Sequence, residues 1–236
     1  MAIPRYLAMT AAEFWSAEAL PEHVAWMACH SSSYGTGLSN LPEKLPPSSM
    51  IILNDRIPMQ GHDPQQILAQ MAQLVEAFCP SGVLLDFQRP EDAGTAAVAK
   101  LLAEHLPCPV GVTEGYAKEL SCPVFYEPPL VIPITQALAP WAKREIWLDI
   151  APAGGIITVT ADASKFQTGY PEFGENPVFT DEALCCRYQT QMEADSIQFY
   201  LRRDLEEIAC LLDAGEKLGV TRAIGLYQQL GKCVAN

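Results

Sequence analysis

Short apolar runs rich in β-branched, aromatic and Leu residues alternate along this chain with segments whose apolar positions recur at helical spacing. The runs read as strands at 23–31 (HVAWMACHS), 49–55 (SMIILND), 82–88 (GVLLDFQ), 108–113 (CPVGVT), 122–128 (CPVFYEP), 144–152 (REIWLDIAP), 183–191 (ALCCRYQTQ) and 221–229 (TRAIGLYQQ). Helical spacing marks 64–78, 90–105, 134–142 and 205–218. Strands alternating with helices imply right-handed crossovers and a parallel sheet, and eight units predict closure into a single (β/α)8 TIM barrel domain over residues 1–236. Three features depart from a regular barrel. The fourth strand is followed only by EGYAKELS, the first two strands are joined by a Pro- and Ser-rich loop, and GGIITVTAD (154–162) is a further strand-like run. CCRYQTQMEADSIQFYLRR alternates on both sides of MEAD, which also fits an added β-hairpin. An open doubly wound α/β sheet is the alternative, because fully apolar strands occur in both architectures.

Charge narrows the partners. The 236 residues carry 28 acidic and 15 basic side chains, a formal net charge of -13. That field repels phosphate backbones and anionic lipid heads, so neither nucleic acid nor a membrane is an expected partner. No apolar run reaches the roughly 18 to 20 residues that span a bilayer. MAIPRYLAMTAAEFW has a single Arg and no continuous apolar segment; it reads as neither signal peptide nor anchor, and the expected location is cytoplasmic. Cys29, Cys79, Cys108, Cys122, Cys185, Cys186, Cys210 and Cys233 lie mostly in apolar runs without C-x-x-C spacing, so free thiols are expected. His23, His30, His62 and His105 show no H-x-H or H-E-x-x-H spacing, and no metal site is expected. Cys29, His30 and Asp55 do not promise a catalytic trio, since adjacent strand residues face opposite ways. Neither G-x-x-x-x-G-K-[ST] nor G-x-G-x-x-G occurs, and no cofactor is expected.

In a barrel the reacting groups project from the carboxyl ends of the strands. Here those ends carry His30 and Tyr34, Asn54 and Asp55, Asp86 and Gln88, Glu114, Tyr126 and Glu127, Asp149, Tyr188 and Gln189, and Tyr227 with Gln228. Rings offer flat faces for sugar stacking, while Asp, Asn and Gln bond hydroxyls or amides. The set suits a neutral carbohydrate better than a phosphorylated ligand, and Arg56 and Arg89 are the main cations nearby. Each ring taken alone is better explained by packing than by ligand contact, so only the clustering carries this reading.

SGVLLDFQ resembles the third-strand signature of family-eighteen glycoside hydrolases, the chitinase-like barrels, whose pattern is D-G-x-D-x-D-x-E. Laid on it, Ser81 takes the first Asp, Gly82 the Gly, Leu84 the middle Asp, Asp86 the last Asp and Gln88 the catalytic Glu. RRDLEEIACLLDAGEKLGVTRAIGLYQQLG is similar to the family's closing unit, with Tyr227 where a Trp is usual. In that family the Glu protonates the glycosidic oxygen, and the last Asp orients the substrate's N-acetyl group as internal nucleophile. The resemblance thus implies that Asp86 still holds an acetamido group, whereas Gln88, a carboxamide, has no proton to give.

Three functions fit. The first is a carbohydrate-binding protein on a glycosidase-like barrel without the usual acid, with Asp86, Gln88, Tyr126, Tyr188 and Tyr227 lining a cleft for an amino-sugar glycan. The second is an active hydrolase with a relocated carboxylate: Glu127 beside Phe125, which next to Pro128 and Pro129 reads more readily as a solvated loop residue, with Asp86 or Asp149 as counterpart. The third is a structural protein without a small ligand.

Overall fold

The computed structural model describes residues 2–33 and 37–234, excepting the side chains of 232–234. Tyr34 and the Cys233 side chain lie outside the described residues. In chain order the elements are β1 (Arg5–Met9), α1 (Ala11–Ser16), β2 (Val24–Ser31), β3 (Leu38–Ser39), β4 (Met50–Asn54), α2 (Pro64–Phe78), β5 (Gly82–Asp86), α3 (Ala93–His105), β6 (Val110–Thr113), α4 (Glu114–Ala117) and β7 (Val124–Tyr126). There follow α5 (Ile134–Leu138), β8 (Ile146–Asp149), β9 (Ala153–Val159), β10 (Ser164–Thr168), β11 (Val178–Asp181), β12 (Cys186–Met192), β13 (Ile197–Arg203), α6 (Leu205–Lys217), β14 (Val220–Leu226) and α7 (Tyr227–Val234).

Eight parallel strands among the described residues form a ring in the order β1-β2-β4-β5-β6-β7-β8-β14, and β14 returns to pair with β1. This is the (β/α)8 barrel, and its closure removes the open-sheet alternative. Two strand assignments need correction. The first barrel strand is β1, the RYLAM segment, which is too short and too poor in β-branched residues to stand out by pattern. GVLLD is therefore the fourth barrel strand, not the third. The run at 183–191 is no barrel strand: it gives β12 of a five-stranded antiparallel sheet ordered β10-β9-β13-β12-β11. There β12 pairs antiparallel with β13, the hairpin that alternation around MEAD allowed, and β9 is the further run after 154.

By its packing the chain divides into two compact units, Met1–Tyr126 with Lys143–Asp149 and Thr221–Asn236, and Glu127–Ala142 with Ile150–Val220. In the first, local chemistry sets the helices between strands. Asp63 caps α2 by accepting the Gln65 N–H at 3.0 Å, Pro64 opens the helix, and Ile67, Met71, Leu74 and Val75 form its buried stripe. Asp92 caps α3 through the Gly94 and Thr95 N–H groups at 2.9 and 3.0 Å. The Thr95 N–H, the Thr95 hydroxyl at 2.7 Å and then the Gly94 N–H hold the Asp92 carboxyl below its usual range, against the effect of burial.

The barrel interior is filled by Tyr6, Ala8, Ala25, Met50, Ile52, Leu84, Phe125, Trp147 and Ile224, each from one face of its strand. Trp147 reaches across toward β5 and β6. A Cβ on Gly111 would stand 2.3 Å from its Cε3, and one on Gly82 would stand 3.0 Å from its ring and 2.5 Å from the Arg222 guanidinium. Arg222 in turn lies 4.5 Å over the Trp147 ring and donates to the Ser81 carbonyl at 2.8 Å. Glycines at 82 and 111 thus make room for the two side chains that plug this end of the barrel.

In the second unit, Leu130, Cys186 and Leu201 form a small core with Ile157, Tyr188 and Phe199 against it. Arg203, 3% exposed, donates to the carbonyls of Pro128 (3.0 Å), Leu184 (2.9 Å) and Cys185 (3.2 Å). Burial lowers its pKa, opposed by neighbouring thiols and the charge of Glu127.

Candidate functional site

Residues paired across parallel strands share a face, so the strand register identifies which side chains meet at the barrel mouth. Asn54 pairs with Asp86 and with His30, placing all three on the face that carries Ile52 and Leu84 further down. His30 arrives there because the β2–β4 register shifts between Trp26 and Cys29. Without that irregularity Cys29 would occupy the inner position. Cys29 instead faces outward beside Leu53, fully buried, with its thiol pushed up to about 12 by burial. That geometry disposes of the Cys29–His30–Asp55 trio.

Each member of the row is held. Asn54 donates from Nδ2 to the Met27 and Cys29 carbonyls, both at 3.0 Å, and accepts the Arg56 N–H at 3.1 Å. The Asn40 amide lies 2.9 Å from His30 Nε2, and His30 Nδ1 lies 2.6 Å from the Ser31 carbonyl. An Nδ1–H tautomer satisfies both contacts. Asp55, one residue beyond β4 and 4% exposed, accepts the backbone N–H groups of Gln88 at 3.1 Å and Arg89 at 2.8 Å. A buried carboxylate thereby pins the loop that leaves β5. Thr113 adds a bond from Oγ1 to the Phe87 carbonyl at 2.8 Å.

On this support stand Asp86 and Gln88, two residues apart and side by side. Gln88 is exposed, Asp86 half-buried, and Gln88 Nε2 donates to Asp86 Oδ1 at 2.6 Å. Burial raises the Asp86 pKa; the Gln88 bond opposes this and the charge of Asp55 adds to it. The pair is thus an anionic acceptor with one oxygen already engaged by an amide.

The other candidates are distributed differently. Asp149 ends β8, half-buried, two residues past Trp147 and so on the inner face. Tyr126 ends β7 on the face opposite Phe125; it is 9% exposed, and its hydroxyl pKa is raised by burial and by Glu114. Tyr227 is half-buried and opens α7, its ring filling the space over Gly231. Glu127 and Tyr188 belong to the second unit. Glu127 is exposed beyond β7. Tyr188 lies on β12, not on a barrel strand, with its ring 5.5 Å from that of Phe179. Sequence reasoning placed Asp55 at a strand end but missed its hold on the 88–89 backbone, and it missed the Trp147–Arg222 plug entirely. The signal for the plug was Gly82 and Gly111 inside apolar strands. Among the described residues no group of three or more His, Cys, Asp or Glu is placed to hold a metal ion, and no helix is long and apolar enough to cross a membrane.

No protein-family model matches the chain, and no curated protein sequence matches it. Among solved structures it is similar to a class V chitinase from Nicotiana tobaccum, at 10% identity over 95% of this chain and 93% of that one, with a TM-score of 0.57. A mutant of that enzyme with a Glu-to-Gln change is in complex with NAG4. A family-eighteen chitinase mutant from Cycas revoluta, also carrying a Glu-to-Gln change and in complex with (GlcNAc)4, is 9% identical over 98% of this chain and 97% of its own, with a TM-score of 0.56. The spore cortex-lytic enzyme SleL of Bacillus cereus is 10% identical over 94% of this chain and 70% of its own, with a TM-score of 0.50. At these identities the likeness is one of fold, that of a (β/α)8 barrel.

Proposed function

We propose that the protein binds an N-acetylated amino-sugar glycan at the barrel mouth and does not cleave it by the family's general-acid route. The observation that carries this reading is the Gln88 carboxamide on Asp86 at 2.6 Å, where the sequence resemblance puts the acid. Asp86 supplies an anionic acceptor for an acetamido N–H, and Gln88 supplies an amide for hydroxyl or carbonyl groups. Gln88 cannot protonate a leaving oxygen near neutral pH, which removes a contribution of typically ~10² to 10⁴-fold in rate. The Glu-to-Gln chitinase mutants in complex with tetrasaccharides support the idea that a glutamine on this fold is compatible with a bound glycan.

Calorimetric titration of chitotetraose into the native protein tests the binding, and release of reducing ends tests the chemistry. Binding without turnover is expected, with binding lost in Asp86→Ala. Gln88→Glu is expected to gain measurable hydrolysis of a chromogenic chitooligosaccharide, abolished again when Asp86→Ala is added. Turnover by the native protein would overturn the proposal and move the search for an acid to Asp149 and Glu127. Failure of any chitooligosaccharide to bind would overturn the ligand assignment.

A further inference from the structure

Cys185 and Cys210 are far apart in sequence but are brought together within the second unit. Cys185 ends the turn between β11 and β12 in the left-handed region, at φ 48°, a conformation that costs a non-glycine residue energy. The turn is tied down on two sides. Asp181 accepts the N–H groups of Ala183 and Leu184, both at 3.0 Å, and Arg203 donates to the Leu184 and Cys185 carbonyls. Cys210 lies within α6, whose buried stripe is Ile208, Leu211 and Leu212. Cys185 is buried and Cys210 half-buried. Their sulfurs stand 3.1 Å apart, and both approach the Glu182 carbonyl, at 3.5 and 3.9 Å. That separation is only about 1 Å beyond the ~2.05 Å of an S–S bond.

We propose that Cys185 and Cys210 are a redox modification site, forming an intramolecular disulfide when the protein meets a hydroperoxide. Access sets the order of events. Half-buried Cys210 meets the oxidant first: its thiolate attacks one peroxide oxygen, an S–O bond forms, the O–O bond breaks, and the departing alkoxide, or hydroxide where the oxidant is hydrogen peroxide, takes a proton to leave as alcohol or water. Cys185 then attacks the Cys210 sulfenic acid. The S–S bond forms, the S–O bond breaks, and hydroxide leaves with the Cys185 proton as water. Two thiols are oxidised and one hydroperoxide is reduced.

The surroundings fit these roles. Burial pushes the Cys185 thiol up to about 12, the Cys210 thiol adds to this and Arg203 opposes it, so Cys185 rests protonated and is not the first to react; it gives up its proton only as it attacks the sulfur 3.1 Å away. The Arg203 nitrogens bond the neutral carbonyls of Cys185, Pro128 and Leu184, and its charge acts on both sulfurs. That field favours whichever thiol is ionised. Closing the 185–210 loop ties the turn to α6 and restricts the unfolded chain, so the oxidised protein should melt at a higher temperature.

The test exposes the native chain to hydrogen peroxide, blocks remaining thiols by alkylation, and maps cross-linked peptides by mass spectrometry. A Cys185–Cys210 peptide pair lighter by two hydrogens, reversed by dithiothreitol, is expected, with an upward shift in melting temperature. Cys210→Ser should show neither the cross-link nor the shift. Cys185→Ser should instead retain a Cys210 sulfenic acid that dimedone traps; if that variant fails to fold, the native protein and Cys210→Ser decide alone. Oxidation that leaves both thiols alkylatable, or joins either one to Cys186 instead, would overturn the proposal.

Discussion

Replacing Asp55 by Ala removes both oxygens that hold the Gln88 and Arg89 backbone in place at 3.1 and 2.8 Å. Hydrogen bonds to a charged group contribute about 1.5–3 kcal/mol each, and because both amides are only partly shielded the low end applies, giving a loss of about 3 kcal/mol. Asp55→Asn keeps one acceptor oxygen but turns an NH2 toward the other backbone N–H, so about 2 kcal/mol is expected. The substitution also has an electrostatic consequence. The Asp55 charge helps to raise the Asp86 pKa, so either variant should lower it. Urea unfolding reads the first effect as a lower midpoint with an unchanged slope. Carboxyl carbon NMR against pH reads the second. A loss below about 0.5 kcal/mol, the range of ordinary surface substitutions, would refute the clamp. An Asp86 pKa that rises in Asp55→Asn would refute the charge coupling.

Gly111→Ala places a methyl 2.3 Å from Trp147 Cε3 inside a filled barrel, and overpacking of that kind typically costs about 1–3 kcal/mol. Chemical denaturation measures it, and a variant as stable as the native protein would show that Trp147 does not fill this space. Asp86→Asn tests the raised pKa: a folded value above 3.8 means the native state binds the proton more tightly than the unfolded state, so stability falls as pH rises from 3.8 through the folded value. Asn still accepts from Gln88, so melting curves across pH should show the variant more stable than native above that window, with the gain vanishing below 3.8; lower stability at neutral pH would contradict this.

The elements most legible in the sequence were those with local signals. Asp63-Pro64 at one end and an apolar stripe through 75 fixed α2 at 64–78 without reference to the rest of the chain. Strand parity likewise put Asp86 and Gln88 side by side, because period two is a property of any strand. What was missed depends on distant partners. RYLAM becomes a strand by pairing with both β14 and β2, a context that five residues do not announce. The 183–191 run alternates as a strand should, but alternation does not say which sheet accepts it. Asp55 acquires its role from the β4–β5 register, and His30 from an irregularity in β2. Register and bulges are set by tertiary pairing, which single-strand periodicity does not encode.

The Asp86–Gln88 contact also shows what a single side chain changes electrically. With an amide at 88 the pair carries one charge, and the 2.6 Å contact is an ordinary charge-assisted hydrogen bond. With a carboxyl there, two like charges at that separation cannot both ionise, and Asp86 already feels burial and Asp55. Gln88→Glu should therefore bind one shared proton well above the ~4.3 of an ordinary Glu. A raised folded pKa makes the variant lose stability relative to the native protein as pH rises through the pair's titration. Paired melting curves between about pH 4 and pH 8 read that loss with no sugar present, and so separate a silent variant that lacks its proton from one that lacks its substrate. A stability difference flat across that range would mean that the two carboxyls do not share a proton, and the side-by-side geometry inferred for Asp86 and Gln88 would fall.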